Sequence, residues 1–358
     1  MSDRVFVIAE AGVNHNGSLE LAHRLVDAAA EAGADAVKFQ TFDARRLASA
    51  EAPKAAYQKE TTDRTESQFE MLRKLELPRA WHAELQARAH GRGIEFLSTA
   101  FDLDSLEFLV ALGMPLFKVP SGELSNGSLL WHFARTRKPL VVSTGMATLS
   151  EVEQALAVIA HAFNADAEPS GLDEVWKGWS VPNWRASLQG RVTLLHCTSQ
   201  YPTPPAEVNL RAMDTLAAAF GLPVGYSDHT EGTLIPIAAV ARGATLIEKH
   251  FTLDRELPGP DHRASLEPGE LARMVADIRA LSQSLGDGRK VPQASEWDTR
   301  RAARQQVVAA RDIEAGTVLQ RTDLTTSRSG HGRPAIALWS TVGLRVLRDY
   351  HAGEAIDP

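Results

Sequence analysis

A (β/α)8 barrel followed by a small, mostly β module is the fold class the sequence predicts. Three observations carry it. Eight short apolar or β-branched runs alternate with amphipathic stretches, those eight units fill roughly 285 residues, and the composition changes after Leu285. Strands alternating with helices imply a parallel sheet; a doubly wound open sheet shares the same local pattern.

The elements follow in order. Val5–Glu10 reads as a strand, the polar loop Asn14-His15-Asn16-Gly17 follows, and a helical pattern runs from Ser18 to Ala32. Further strands are expected at Ala36–Gln40, Ile94–Thr99, Leu116–Val119, Leu140–Thr144, Val192–His196, Val224–Ser227 and Thr245–His250. Asp102 has the place of a helix N-cap, and Thr148 with Glu151 has capping-box spacing. Gly33 and Gly113 stand between a helix and the next strand, where a left-handed residue costs glycine least.

Two stretches break the rhythm. Phe42–Thr65 is expected as a long loop on the face that carries the strand C-termini, in the manner of a lid. Asn164–Arg191, with Trp176, Trp179 and Trp184, leads from a helix to a strand and is read as packing or oligomer surface on the opposite face. The domain boundaries expected are 1–285 for the barrel, 286–304 for a linker and 305–358 for the module. Within the module, Arg311-Asp312-Ile313-Glu314-Ala315-Gly316 is echoed by Arg348-Asp349-Tyr350-His351-Ala352-Gly353.

Of the 358 residues, 44% are hydrophobic and 23% charged, which is the profile of a globular protein and not of a disordered or fibrous one. A net charge of -7 opposes a broad cationic surface for nucleic acid or anionic membrane. Cys197 is the single cysteine, so neither an intrachain disulfide nor a cysteine metal cluster can form, in keeping with a reducing cytoplasm. The N-terminus lacks the layout of a secretory signal, and no apolar run is long enough to span a membrane.

In a barrel, catalytic groups belong at the C-terminal ends of the strands. Those ends are polar throughout: Glu10, Lys38 with Gln40, Thr99, Lys118 with Ser121, Ser143 with Thr144, His196 to Tyr201, Ser227-Asp228-His229, and Glu248 with His250. Singly, each has a structural reading, since a lysine can snorkel and a histidine can be a hydrogen-bonded packing residue. Together, two lysines among hydroxyls point to an anion such as a phosphate or carboxylate. His229 and His250, from neighbouring strands, can share a divalent ion, and Glu10 and Asp261 are placed for proton transfer or hydroxyl binding. His196 and Cys197 read as structural, and Asp228 as a residue orienting the His229 imidazole.

At these residues the sequence resembles a known family. IAEAGVNHNGS from Ile8, VKFQTF from Val37, FLSTAFD from Phe96, FKVPSGE from Phe117 and STGM from Ser143 resemble the sialic acid synthase family, the bacterial nonulosonate synthases. LHCTSQYPTP from Leu195, GYSDHT from Gly225, IEKHF from Ile247 and GPDHRASLEP from Gly259 do so too. The tail from about Gln306 is similar to the antifreeze-like SAF domain of the same enzymes. Some members carry Asn where Ser199 stands, and Arg328-Ser329-Gly330-His331-Gly332 takes the place of the family's Arg-Pro-Gly-x-Gly.

The resemblance implies a transferase that condenses phosphoenolpyruvate with N-acetylmannosamine or a related N-acyl-mannose sugar and releases phosphate, with Mn2+ or Mg2+ as cofactor. It implies that Lys38, Thr99, Lys118, Ser121, Ser143, Tyr201 and Ser227 hold phosphoenolpyruvate, and that His229 and His250 bind the metal. Glu10, Gln40 and Asp261 would face the sugar, and Arg328 would reach its acyl group from the SAF domain of a partner chain in a domain-swapped homodimer. The same chassis serves N-acetylneuraminate, legionaminate and pseudaminate synthases and spore-coat polysaccharide enzymes. A noncatalytic carbohydrate-binding protein is the alternative of a different class.

Overall fold

The computed structural model describes residues 4–49, 51–55, 58–59, 62–63 and 66–357. The chain divides into two compact units, Met1–Gly286 and Asp287–Pro358.

The first unit holds eight strands: β1 (Phe6–Gly12), β2 (Ala36–Thr41), β3 (Glu95–Ala100), β4 (Phe117–Val119), β5 (Leu140–Ser143), β6 (Val192–His196), β7 (Val224–Asp228) and β8 (Leu246–His250). They form one sheet in the order β3-β2-β1-β8-β7-β6-β5-β4, with every pair parallel. The outer strands β3 and β4 come back beside one another, so the sheet is a nearly closed barrel and the open-sheet alternative is excluded. Helices cover its outer face, which is why these strands are buried on both sides and read as near-continuous apolar runs. Period-two alternation sends Phe39 outward to stack on Phe96 at 5.8 Å, while its neighbours Lys38 and Gln40 face the barrel interior.

The helix ends obey their local chemistry. Asp102 caps the helix Leu103–Leu112 by accepting from the Ser105 amide, and that helix stops at Gly113 with φ +85°. Thr148 and Glu151 close the capping box of helix Leu149–Asn164, a feature of about 1 kcal/mol.

The two irregular stretches have structure of their own. Asn164–Arg191, read as packing or oligomer surface, forms two short helices, Leu172–Trp179 and Pro182–Ala186, packed on helix Leu149–Asn164. Gly178 makes this possible: Trp184 lies so close that a Cβ there would meet its ring at 2.3 Å. The Phe42–Thr65 segment contains a helical turn, Ala44–Leu47, and a buried Lys54 whose ammonium donates to Thr62, the Asp63 carbonyl and Glu66. Residues 50, 56, 57, 60, 61, 64 and 65 of that segment lie outside the described residues.

The second unit carries a 3-10 turn, Ala294–Glu296, and a helix, Trp297–Ala303, inside the stretch read as linker. It then pairs β9 (Gln306–Ala309) with β10 (Leu324–Ser327) antiparallel, around a core that includes Val307, Leu319, Leu324 and Ile356. The internal echo is a local pseudo-symmetry. Ile313 and Tyr350 exchange backbone hydrogen bonds, Asp312 accepts from the Ala352 amide, and Asp349 accepts from the Ala315 amide. Each copy caps the turn of the other.

Candidate active site

Strand register brings the polar ends together. Glu10 of β1 stands opposite Lys38 of β2 and His250 of β8, Gln40 opposite Thr99, and Ser227 opposite Glu248. Glu10, Lys38, Thr99, Lys118, Ser227, Glu248 and His250 are all buried. A cluster of charges out of water must neutralise itself, and this one does. The Lys38 ammonium lies 2.6 Å from Glu10 and 3.5 Å from Glu248, and donates to the Thr99 hydroxyl at 2.8 Å. Lys118 and the Ser227 hydroxyl each donate to Glu248 Oε1 at 2.8 Å. Gln40 completes the rim by donating to Glu10 at 3.3 Å.

The titration behaviour follows from this pairing. Burial works against the Lys38 charge, but Glu10 and Glu248 outweigh it and raise its pKa. Burial likewise raises the Glu10 carboxyl, with Lys38 opposing and Glu248 reinforcing. Glu248 goes the other way: two lysines and Ser227 overcome its burial and hold it well below the usual carboxylate range. It is the pivot of the cluster.

Ser121 and Ser143 stand beside Cys197. The Ser121 hydroxyl accepts from the Gly145 amide at 3.1 Å and lies 3.2 Å from Cys197 Sγ, while the Ser143 hydroxyl is buried and has no hydrogen-bond partner among the described residues. Gly145 is needed there, because a Cβ would meet Ser199 Oγ at 2.4 Å and Ser121 Oγ at 2.8 Å. Burial raises the Cys197 thiol, in keeping with the structural reading. His196 Nε2 lies 2.7 Å from the Val208 carbonyl, a contact that holds the strand end.

His229 and His250 lie with ring centroids 5.5 Å apart, and Tyr201 packs on both, at 4.1 Å from His229 and 5.5 Å from His250. His229 Nδ1 is 2.6 Å from the Thr198 carbonyl, so that nitrogen carries the proton and Nε2 keeps its lone pair. His250 Nδ1 is buried and has no hydrogen-bond partner among the described residues. Burial holds His229 down to about 4, and burial together with His229 puts His250 well below its usual value. Two neutral imidazoles, one with an orphaned nitrogen, fit a divalent cation. Among the described residues no group of three or more His, Cys, Asp or Glu is placed to hold one, so water or substrate would complete the shell. Asp261 faces His250 at 3.9 Å, and its carboxyl is pushed up to about 7 by burial and then by Glu10.

One reading is corrected. Asp228 does not orient the His229 ring, which is held by Thr198; its carboxylate binds Lys249 at 2.6 Å and Thr230. Lys249 was not singled out, and Glu248 was noted only as a strand end. Both were reachable from the IEKH run, where alternation puts Glu248 and His250 on one face and Lys249 on the other. Arg328 follows β10 in the second unit and is exposed, with no ion pair among the described residues.

The NeuB family profile matches residues 25–290, and the SAF domain profile matches 304–358. An N,N'-diacetyllegionaminic acid synthase of Campylobacter jejuni is 44% identical over 99% of both chains. One of Legionella pneumophila is 44% identical over 98% of this chain and 93% of its own. The crystal structure of an N-acetylneuraminic acid synthetase from Leptospira borgpetersenii, in complex with citrate, is 34% identical with a TM-score of 0.67, covering 83% of this chain and 90% of that one. On these matches, spanning both units, the chain belongs to the NeuB family and ends in a SAF domain.

Proposed function

We propose that this enzyme, a transferase, condenses phosphoenolpyruvate with an N-acylated mannose-type sugar to make a nonulosonic acid, releasing phosphate. The observation that carries the reading is the juxtaposition at one barrel end of two buried ammoniums, Lys38 and Lys118, with two neutral imidazoles, His229 and His250. The lysines, with Thr99, Ser121, Ser143, Tyr201 and Ser227, bind the phosphate and carboxylate of phosphoenolpyruvate. Glu10, Gln40 and Asp261 bind the sugar hydroxyls. A divalent ion, Mn2+ or Mg2+, held by His229 and His250 would supply polarisation of the sugar aldehyde and a fixed water.

The chain's own groups then account for the rest. Fixing both substrates in line converts a bimolecular encounter into an intramolecular one. C3 of phosphoenolpyruvate bonds to the aldehyde carbon, and Glu10 or Asp261 provides the proton that the aldehyde oxygen takes up. Water adds at C2 and returns a proton to the carboxylate that gave one up, and the C2–O bond to phosphate breaks as the C2 hydroxyl becomes the ketone and its proton leaves with the phosphate, whose charge is met by Lys38 and Lys118.

The acceptor to assay first carries two acetamido groups, because removing the three carbons of phosphoenolpyruvate from a diacetylated nonulosonic acid leaves a six-carbon sugar with both, and the two 44%-identical relatives are named for that product. A second copy of the chain completes the site through Arg328. The apolar residues that the second unit exposes, Ile336 at 80%, Trp339 at 74% and Leu347 at 91%, support a homodimer that covers them. No helix among the described residues is long and apolar enough to cross a membrane, and an enzyme consuming phosphoenolpyruvate would work in the cytoplasm. The test is phosphate release and product mass on mixing phosphoenolpyruvate and Mn2+ with N-acetylmannosamine and with the diacetamido sugar. No phosphate release with either acceptor refutes the reading.

A further inference from the structure

Behind the histidine pair lies a second ion pair that touches neither the lysines nor Glu10. Asp228 and Lys249 are register partners across β7 and β8, and both are wholly buried. The Lys249 ammonium lies 2.6 Å from Asp228 Oδ2 and also donates to the Thr230 carbonyl. Asp228 Oδ1 accepts from the Thr230 amide at 3.1 Å and from its hydroxyl at 2.9 Å. These bonds close a turn across residues 228–230, with His229 at its apex, and tie that turn to the strand position next to His250.

A buried ion pair is poor value as a stabiliser, since desolvation offsets most of its attraction and an apolar pair of like volume often serves as well. What this pair adds is position. Lys249 points away from the site because Glu248 and His250 take the other face, so its contacts act on the backbone of both histidine-bearing segments.

We propose that the Lys249–Asp228–Thr230 clamp is a positioning device that holds His229 and His250 in register as a two-imidazole site for a divalent cation. The proposal rests on the reading of those histidines as cation ligands. Supporting contacts of this kind are worth about 10–100-fold in metal affinity.

The experiment uses the full chain with Mn2+ alone as the calorimetric probe, and separately phosphoenolpyruvate alone on chelator-treated protein. The wild type binds Mn2+. Lys249→Met weakens Mn2+ binding by about 10–100-fold and leaves phosphoenolpyruvate affinity within about twofold. General loosening of the barrel would weaken both. An unchanged Mn2+ affinity, or equal losses for the two ligands, overturns the proposal. If Lys249→Met gives no cooperative melt, Thr230→Val decides: it keeps the ion pair, loses the hydroxyl bonds to Asp228 and is expected to lose Mn2+ affinity severalfold, with no loss overturning the clamp. A wild type that binds no Mn2+ overturns the reading of the histidines and the clamp with it, whereas failure of the clamp alone leaves wild-type binding intact.

Discussion

Replacing Glu248 by Gln removes one negative charge from the centre of the lysine cluster and keeps its shape. Glu248 lies 2.8 Å from the Lys118 ammonium and 3.5 Å from that of Lys38. At an effective dielectric of ~20, unit charges at those separations attract by about 6 and 5 kcal/mol. Desolvation of the carboxylate cancels much of that, and a buried pair that loses one partner costs about 3–5 kcal/mol net. Gln still offers an acceptor to Lys118 and Ser227, so the lower end, about 3 kcal/mol, is expected. In a unit of this size that lowers Tm by roughly 5 °C.

Phosphoenolpyruvate would return the missing negative charge, so it should raise the Tm of Glu248→Gln by more than that of the wild type. Scanning calorimetry of the full chain, with and without phosphoenolpyruvate, reads both effects. A variant that melts with the wild type refutes the charge argument. One that melts early but gains no more from phosphoenolpyruvate places the anion away from Lys38 and Lys118.

Glu10→Gln keeps the shape of the side chain but loses the carboxylate, and turnover should fall by about 100-fold with phosphoenolpyruvate binding near normal; wild-type steady-state kinetics would make Glu10 a structural strand end. Asp261, pushed up to about 7, keeps in the folded state a proton that the unfolded chain releases near ~4. Its contribution to stability is therefore present below about 4 and lost as pH rises to about 7. The stability of Asp261→Asn relative to the wild type should accordingly rise between about pH 4 and 7 in denaturant titrations, and a constant difference counts against the shift. Mixing Arg328→Ala with His250→Ala chains, each inactive alone, should restore activity after subunit exchange if Arg328 serves the partner's barrel; no recovery means that each tail serves its own.

The eight strands were legible because each carries an unbroken apolar or β-branched run bounded by turn residues, and the observed strands start or end within two residues of the positions read from the sequence. The helical caps at Asp102 and Thr148 were legible because capping is chemistry between residues three apart. The convergence of the polar strand ends was legible, since strand C-termini meet at one end of a barrel whatever their separation along the chain. The seat of the tryptophan-rich segment was not, because its packing on helix Leu149–Asn164 is a tertiary contact, although Leu172, Val175, Trp176 and Trp179 already have the i, i+3, i+4, i+7 spacing of a helix.

Composition and local pattern alone determined the element types, the number of strand-helix units, and that an anion and a cation site were to be expected together. Only the tertiary structure decided how the charges are shared. That Glu248 pairs with both lysines, that Thr198 and not Asp228 holds His229, and that Lys249 turns to Asp228 behind the site depend on strand register. Register joins residues far apart in sequence, and burial makes such contacts strong through a low dielectric that exists only once the barrel is closed.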